Sequence, residues 1–410
     1  MKHLTLLLAA TALAAAAVSC EKTDIGYEEQ PKALDLSTKA VEYIREGNTF
    51  AFDYIDRINA VGADDFIVSP LSLQILLGMV LDGAGGETAG QIVDVLGYGA
   101  GEQAEVDRFC QSLLKQLPRL DRQVKLSMAD ALFADKDFPV LSSYKTQVSR
   151  FYQAEISNLD FSNQAGTLKT INDWCSKNTN GLIPKMLDAV SPDARLFLLN
   201  ALYFKGQWKE PFNKDVTRDE PFTDEAGSQS QVKMMIQKNK FAYSENDIFQ
   251  AVSIPYGSGS YSMTAFLPKA GHKVSEVVSD LKSTGWDTFR GGMQSCDVTL
   301  WLPKFETKFS VQLADILSAM GMPDAFDIVK ADFSALSKRP LYLLFVKQDA
   351  IIKVDEEGTE AAAVSIAAYV EKAIKPEVPP VVFKADHPFL YLITESSTGA
   401  ILFAGRYSGK

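Results

Sequence analysis

The spacing of apolar and polar residues predicts helices mainly in the first half of the chain and strands mainly in the second. Apolar residues at helical spacing over 35–60 and an almost continuous apolar run over 71–82 predict two helices. Ser69 before Pro70 is a typical N-terminal cap for the second of these. A third helix is predicted at 87–96, and strands at 124–133, 195–204, 249–256, 261–267, 298–305, 341–345, 350–354, 389–394 and 400–406. This order favours an α+β fold over a regular alternation of strands and helices.

The first residues read as an export signal that is not part of the folded domain. A basic start precedes a largely apolar run over 4–18, which matches a signal peptide and is short for a membrane span. Small residues then precede Cys20, as in the lipobox of bacterial lipoproteins, although Ala17 stands where leucine is usual. An ordinary signal peptide with an unmodified thiol is the alternative. The expected division is a lipoprotein-type signal peptide at 1–19, a polar tether at 20–34 and one domain at 35–410.

Composition excludes several classes of protein. The chain has 410 residues, 46% of them hydrophobic and 23% charged, which argues against disorder, collagen and coiled coil. A net charge of -11 argues against a broad nucleic-acid surface, because phosphate binding needs clustered Lys and Arg. The length alone allows about two to three domains, yet no repeat or low-complexity break marks a boundary.

The cysteines do not suggest a disulfide framework or a metal site. They are four in number and widely scattered, without the short paired spacing of zinc ligands. We expect no metal and no cofactor. Cys20 is the candidate for lipid attachment, and the other three are interpreted as small buried apolar residues: Cys110, Cys175 and Cys296.

Histidine is too scarce to build a familiar hydrolase site. A Ser/His/Asp hydrolase needs an imidazole beside its serine, and after removal of the signal only His272 and His387 remain. The sequence has no G-x-S-x-G turn and no P-loop. A hydrolase that works through two carboxylates stays open at this point, because such residues can meet from anywhere in the chain.

One segment departs from the ordinary patterns. Residues 354–365 read VDEEGTEAAAVS, and 366–380 read IAAYVEKAIKPEVPP. Alanine favours helix, so an alanine-rich surface helix before a proline-rich loop is one interpretation. As a strand, the segment would place on one face five residues small enough to slip between existing strands: Thr359, Ala361, Ala363, Ser365 and Ala367.

Several blocks follow one another in a recognisable order. They are IVSPLSL at 67–73, INDW at 171–174, LNALYFKGQW at 199–208, LPKF at 302–305, EEGTEAAA at 356–363, FKADHPF at 383–389 and LFAGR at 402–406. In this order they resemble the serpin family of protease inhibitors over nearly the whole mature chain. A chance match would not keep the order.

The resemblance implies a fold and a mechanism. The expected architecture is an α+β serpin fold with three β-sheets, eight or nine helices and an exposed reactive-centre loop at about 356–381. In this family the loop is bait that a protease attacks to form an acyl-enzyme. The cleaved arm then inserts as a new strand of the largest sheet and carries the protease with it. Pairing of about ten to fifteen residues, at roughly 0.5–1.5 kcal/mol each, provides on the order of 10 kcal/mol.

The resemblance also assigns roles within the loop. Gly358 permits the backbone to swing, Thr359 enters the sheet first, and the small residues after it keep burial inexpensive. The complete hinge is Glu356, Glu357, Gly358, Thr359, Glu360, Ala361, Ala362 and Ala363.

The reactive bond is expected between Lys372 and Ala373, fifteen residues on from Gly358 when that glycine is counted. Loop length varies in the family, so the alternatives are Tyr369, Val370 and Lys375. Lysine before the bond fits an acidic specificity pocket. We therefore expect trypsin-like serine proteases as covalent partners, with cysteine proteases as a further candidate class.

Two polar clusters are implied within the largest sheet. Residues of the first, called the shutter, hold the strands together: Ser69, Ser72, Asn200 and Gln348. The second, called the breach, joins Lys304 to Glu356 near Trp208. Gln348 stands where many animal serpins have a histidine, so pH-sensitive opening through that residue is not expected. Each shutter residue can also be interpreted simply as a buried polar group whose hydrogen bonds are satisfied. In a serpin this interpretation agrees with the functional one, because holding the strands together is the function.

Two functions from different classes follow. The first is a suicide-type inhibitor that forms a covalent complex with its target and is not an enzyme. The second is a non-inhibitory serpin that acts as a binding or carrier protein. Non-inhibitors tend to have bulky, charged or proline residues in the hinge, whereas Glu360 is the only such residue between Thr359 and Ala363. We expect an exported monomer held by lipid in a bacterial cell envelope, with no nucleic-acid partner.

Overall fold

A computed structural model describes residues 30–191, 194–344, 346–359 and 380–410. Several predicted features lie outside the described residues: the signal peptide, Cys20, Glu360 to Ala363, Tyr369, Val370, Lys372, Ala373 and Lys375.

The described residues contain nine α-helices. They are α1 (Thr38–Ala60), α2 (Pro70–Leu81), α3 (Gly86–Leu96), α4 (Gln103–Gln116), α5 (Ser142–Phe151), α6 (Gln164–Asn178), α7 (Val274–Thr284), α8 (Trp286–Gly291) and α9 (Ala314–Met320). Short 3-10 helices lie at Leu117–Arg119, Lys214–Val216 and Pro323–Phe326.

The strands outnumber the helices. They are β1 (Phe66–Val68), β2 (Val124–Asp135), β3 (Glu155–Leu159), β4 (Leu196–Gln207), β5 (Arg218–Thr223), β6 (Gln229–Glu245), β7 (Phe249–Tyr256), β8 (Tyr261–Pro268), β9 (Gln294–Pro303), β10 (Phe305–Gln312), β11 (Val346–Asp355), β12 (Gly358–Thr359), β13 (Val381–Lys384), β14 (Phe389–Glu395) and β15 (Ile401–Tyr407).

The strands form two hydrogen-bonded networks. The first, called the main sheet, has six strands in the order β10-β11-β12-β4-β2-β3. The second has nine strands in the order β1-β15-β14-β8-β7-β6-β9-β13, with β5 on β6. The long strand β6 belongs to two parts of this network, because it pairs with β5 and β9 along most of its length and with β7 only at 242–245. The second network thus divides at β6, which makes three sheets with the main sheet, and the α+β class is confirmed.

Helix α2 packs against the main sheet. Ser69 caps it by accepting a hydrogen bond from the backbone N–H of Ser72, and Pro70 occupies its first turn. Every residue of α2 is buried, as expected for a helix that is apolar on all sides. It packs against α1, β4 and β15, and its Ser72 hydroxyl donates a hydrogen bond to Asn200 on β4.

Two predicted strands end differently from expectation. The strand predicted at 341–345 is wrong for 341–344, which are irregular because the Leu343 N–H donates to the Ala325 carbonyl. The apolar run at 298–305 is divided into β9 and β10 at Lys304. The backbone N–H of Lys304 donates to the Lys233 carbonyl, and the chain passes there from one sheet to the other. Both differences come from contacts with distant segments.

The end of the predicted tether contacts the domain. The Lys32 N–H donates to Ser260 Oγ at 2.9 Å, and the Leu34 N–H donates to Ser397 Oγ at 3.1 Å. The Leu34 side chain is buried in the main core. The packed part of the chain therefore begins a few residues before position 35.

The cysteines within the described ranges are free thiols. Cys110 and Cys175 are buried as expected, whereas Cys296 is only half-buried because it lies near one end of β9. No helix in the described part of the chain is long and apolar enough to cross a membrane. Among the same residues, no group of three or more His, Cys, Asp or Glu side chains is arranged to hold a metal ion.

Candidate functional site

The start of the predicted loop lies inside the main sheet. Strand β12 stands between β11 and β4, with Thr359 opposite Val354 on one side and Gly206 on the other. Farther along, β11 and β4 pair directly in parallel, from Val346↔Leu198 to Asp349↔Ala201. The sheet is therefore parted at one end and closed at the other. This corrects the expectation of an exposed loop from 356, and at the far end Val381 already belongs to β13.

Gly358 is required for this partial insertion. Its φ angle is 151°, which side chains rarely adopt, and a Cβ at this position would lie 2.0 Å from the Gly206 carbonyl oxygen. Only a residue without a side chain can approach β4 so closely.

Thr359 is buried where β11 and β4 are parted. Its side chain is 1% exposed, and its Oγ1 lies 2.8 Å from the hydroxyl of Tyr256. Burial raises the pKa of Tyr256 well above its ordinary value, so this hydroxyl stays neutral and can hydrogen-bond. The Tyr256 ring stacks on Trp208 with centroids 4.4 Å apart. Sequence reasoning missed Tyr256, because it lies 103 residues from Thr359 along the chain.

Trp208 ties the breach together through its backbone and its ring. The Trp208 indole N–H donates to the Asp355 carbonyl at 2.9 Å, and its backbone N–H donates to the Glu357 carbonyl at 2.9 Å. The Phe212 N–H donates to the Glu356 carbonyl at 2.8 Å. The turn between β11 and β12 is thereby fixed at three successive carbonyls.

Lys304 neutralises a carboxylate in this turn. Its Nζ lies 2.7 Å from Glu356 Oε2, and the Glu356 side chain is only 5% exposed. Burial alone would raise the pKa of Glu356, but the hydrogen bond and charge of Lys304, together with the other hydrogen bonds to this carboxylate, outweigh it and the pKa is lowered. The neighbouring Glu357 pairs with Lys214. The contact between Lys304 and Glu356 near Trp208 is therefore present.

One half of the shutter joins α2 to β11. Gln348 Oε1 accepts from the Ser69 N–H at 2.8 Å, and its Nε2 donates to the Ser69 carbonyl at 3.0 Å. The Tyr54 hydroxyl also donates to this Oε1, at 3.3 Å. The amide thus closes a double hydrogen bond with the N-terminal cap of α2.

The other half of the shutter joins α2 to β4 and β2. The Ser72 hydroxyl donates to Asn200 Oδ1 at 2.7 Å, and Asn200 Nδ2 donates to Asp130 Oδ1 at 2.8 Å. Asp130 is 3% exposed, and burial raises its pKa to about 7. Sequence reasoning missed Asp130. The available signal was its place on an alternating strand, on the same face as the apolar residues Met128 and Leu132.

The histidines do not form a catalytic dyad. His387 Nδ1 lies 2.9 Å from Asp386 Oδ1, and its Nε2 lies 2.8 Å from the Pro268 carbonyl oxygen. His272 pairs with Glu276 on the surface. Among the described histidines, the partners of the imidazoles are therefore carboxylates and a backbone carbonyl rather than a serine hydroxyl. The polar clusters of the main sheet join its strands to one another and to α2.

Comparison with known proteins agrees with this geometry. Residues 45–409 match the family model described as "Serpin (serine protease inhibitor)". Serpin B6 of Macaca fascicularis is 35% identical over 378 residues, which cover 90% of this chain and 100% of that protein.

Solved structures show the same fold. Native tengpin, a thermophilic serpin, superposes with a TM-score of 0.82 at 27% identity, over 93% of this chain and 97% of that one. Human thyroxine-binding globulin in complex with thyroxine superposes with a TM-score of 0.81 at 27% identity, over 90% of this chain and 98% of that one. The expected serpin fold is thereby confirmed.

Proposed function

The chain belongs to the serpin family of protease inhibitors, and on that premise we propose that it traps trypsin-like serine proteases by a suicide route. The protease cleaves the bait loop and is held as an acyl-enzyme while the loop inserts into the main sheet. The family is one of protease inhibitors and not of enzymes, so in this route the attacking nucleophile belongs to the target protease.

The observation that carries this proposal is the position of β12. Gly358 and Thr359 already occupy the first step of a strand between β4 and β11. The residues that would follow Thr359 on the same face of a strand are all small, namely Ala361, Ala363, Ser365 and Ala367, so their burial involves no charged or bulky side chain. Below β12 the two strands are joined by a short parallel pairing of four residues on each side. Continued insertion replaces this pairing with two new ladders.

The target class follows from the residue before the reactive bond. Lys372 is the expected position, with Ala373 after the bond. A lysine side chain suits a pocket with a buried carboxylate, the kind of pocket that trypsin has. Cysteine proteases form the equivalent acyl-enzyme with a thiolate and are the second target class to be tested.

A carrier function is the competing candidate. It is favoured by the likeness to thyroxine-binding globulin, a serpin-fold protein crystallised with thyroxine. The small hinge residues and the inserted β12 favour inhibition instead, because a carrier has no need of a loop that can enter the sheet.

The test is to mix the mature protein with trypsin, an elastase and a papain-like enzyme, and to separate the products on denaturing gels. We expect a covalent band near the summed masses with trypsin. Complete loop cleavage with full protease activity retained would sink the inhibitor proposal and favour the carrier.

The reactive bond is tested by two matched variants. Lys372→Ala should lower trypsin trapping by at least about tenfold, since it removes the charge that fills the acidic pocket, whereas Lys375→Ala should leave trapping unchanged. The reverse result would place the bond after Lys375. Mass spectrometry of the released C-terminal fragment reports the cleaved bond directly.

We also propose that the protein is a monomer held in a bacterial cell envelope by lipid on Cys20. The support is the apolar run at 4–18 and the small residues before Cys20. Radiolabelled palmitate should enter the exported protein and not a Cys20→Ala variant. Recovery of the unlabelled wild type in a soluble fraction would remove this proposal.

A further inference from the structure

Asp130 is a buried acid with too few partners. Its Oδ1 accepts one hydrogen bond, from Asn200, whereas its Oδ2 has no hydrogen-bond partner within the described residues. A carboxylate buried in this way is costly unless it is paired. The protonated acid costs less, since it carries no charge.

The groups that surround Asp130 do not compensate a negative charge. Asn200 on β4 is neutral, and on α4 the nearby titratable group is the thiol of Cys110. Burial raises the pKa of Cys110, and the negative charges of Asp107, Asp130 and Asp82 add to this effect. The hydroxyl of Tyr152, directly after α5, donates to Asp107. Acids and neutral groups thus face Asp130 across the described part of this core.

The shutter joins α2 to both β11 and β4, the two strands between which a new strand has to enter. Ser69 binds β11 through the two hydrogen bonds of Gln348, and Ser72 binds β4 through the single hydrogen bond to Asn200. A new strand separates its neighbours by about 4.8 Å more than before. Helix α2 cannot keep both contacts across such a distance, and the single bond from Ser72 is the weaker one.

Asp130 and Asn200 move together when β4 leaves α2. They are directly opposite each other in an antiparallel ladder that runs from Val124↔Gly206 to Ala134↔Leu196. Opening therefore removes the β2–β4 pair from Ser72 and exposes the surroundings of Asp130 to water. Water supplies the donors that the second carboxylate oxygen lacks in the closed sheet.

We propose that Asp130 is a proton-dependent latch of the shutter. The neutral acid favours the closed sheet, and ionisation promotes the opening that strand insertion requires. This proposal rests on the insertion route proposed above. Its direction follows from linkage: a carboxyl group whose pKa is raised in the native state stabilises that state below its ordinary pKa, and this contribution is lost as the pH rises through about 7.

The test measures sheet opening without a protease. A synthetic peptide with residues 361–371, AAAVSIAAYVE, is offered to the protein, because β12 already holds the two residues before Glu360. Native gels and the gain in thermal stability follow its incorporation. For the wild type the rate should rise by up to about tenfold from pH 6 to pH 8, the limit for one proton lost from a group of this pKa. Asp130→Asn should incorporate the peptide at the same rate at both pH values.

A matched control separates Asp130 from a second buried acid. Burial and the charge of Asp107 also raise the pKa of Asp82, and Asp82 interacts with Asp107 rather than with the shutter. Asp82→Asn should therefore keep the pH dependence. Should Asp130→Asn fail to fold, Asp130→Ser offers a smaller neutral side chain with the same expected flat profile.

The outcomes are distinguishable. A wild-type rate that does not change with pH, or a pH dependence that survives in Asp130→Asn, overturns the role of Asp130. Loss of the pH dependence in Asp82→Asn would assign it to Asp82 instead. Failure of the peptide to enter at any pH contradicts the insertion route itself.

Discussion

Thr359→Arg places a long cation at the first residue that the main sheet receives. The Thr359 side chain is 1% exposed and its hydroxyl contacts Tyr256. An arginine here has no room to keep that contact. We expect the variant to be cleaved by trypsin as an ordinary substrate, with little or no covalent complex.

The magnitude follows from two local losses. The Tyr256 hydroxyl is left buried without its partner, which costs about 1–3 kcal/mol. Burying a guanidinium without a counter-ion costs several kcal/mol more. Even a total of about 3 kcal/mol in the insertion barrier slows insertion by more than about a hundredfold. Hydrolysis of the acyl-enzyme, which competes with insertion, then prevails.

The assay is titration of trypsin with increasing amounts of inhibitor, combined with denaturing gels. The number of inhibitor molecules consumed for each trypsin molecule inactivated should rise steeply for Thr359→Arg and stay near the wild-type value for Thr359→Ser. Glu360→Arg is the matched control, because alternation along a strand places residue 360 on the opposite face. If Thr359→Arg traps trypsin as well as the wild type does, the inward role of Thr359 is refuted.

Two further predictions concern the breach. Lys304→Met leaves the buried carboxylate of Glu356 without its cation, so the pKa of Glu356 rises relative to the wild type. We expect a loss of roughly 1–3 kcal/mol in unfolding free energy at neutral pH. In the wild type the pKa of Glu356 is lowered, so the stabilisation from its ionised form is present at neutral pH and is lost as the pH falls through the native pKa. Urea titrations of the wild type and the variant from pH 3 to pH 7 provide the check. Gly358→Ala should expel β12 from the main sheet, because its Cβ would meet the backbone of β4. A change in Trp208 fluorescence should report the expulsion, and an unchanged spectrum would contradict it.

Much of the fold could be anticipated from local patterns. The strand predicted at 249–256 coincides with β7, and the cap and apolar run around 69–82 became α2. The prediction was wrong at 341–344, where Leu343 bonds to Ala325 instead of extending β11. Apolar runs indicate burial, but a contact with a remote segment decides whether a buried run is paired as a strand.

The functional site was likewise predictable in part from the sequence and in part only from the tertiary structure. Small residues after Gly358, a lysine at 372 and the ordered family motifs are properties of the chain itself, and they were enough to indicate the family and its bait loop. The seating of Thr359 against Tyr256, and the place of Asp130 beside Asn200, were settled only when strands distant in sequence were brought side by side. A hydrogen bond depends on positions within a few tenths of an ångström. Residue type and spacing carry no such information across 70 or more residues, and the packing of the sheet on α2 supplies it.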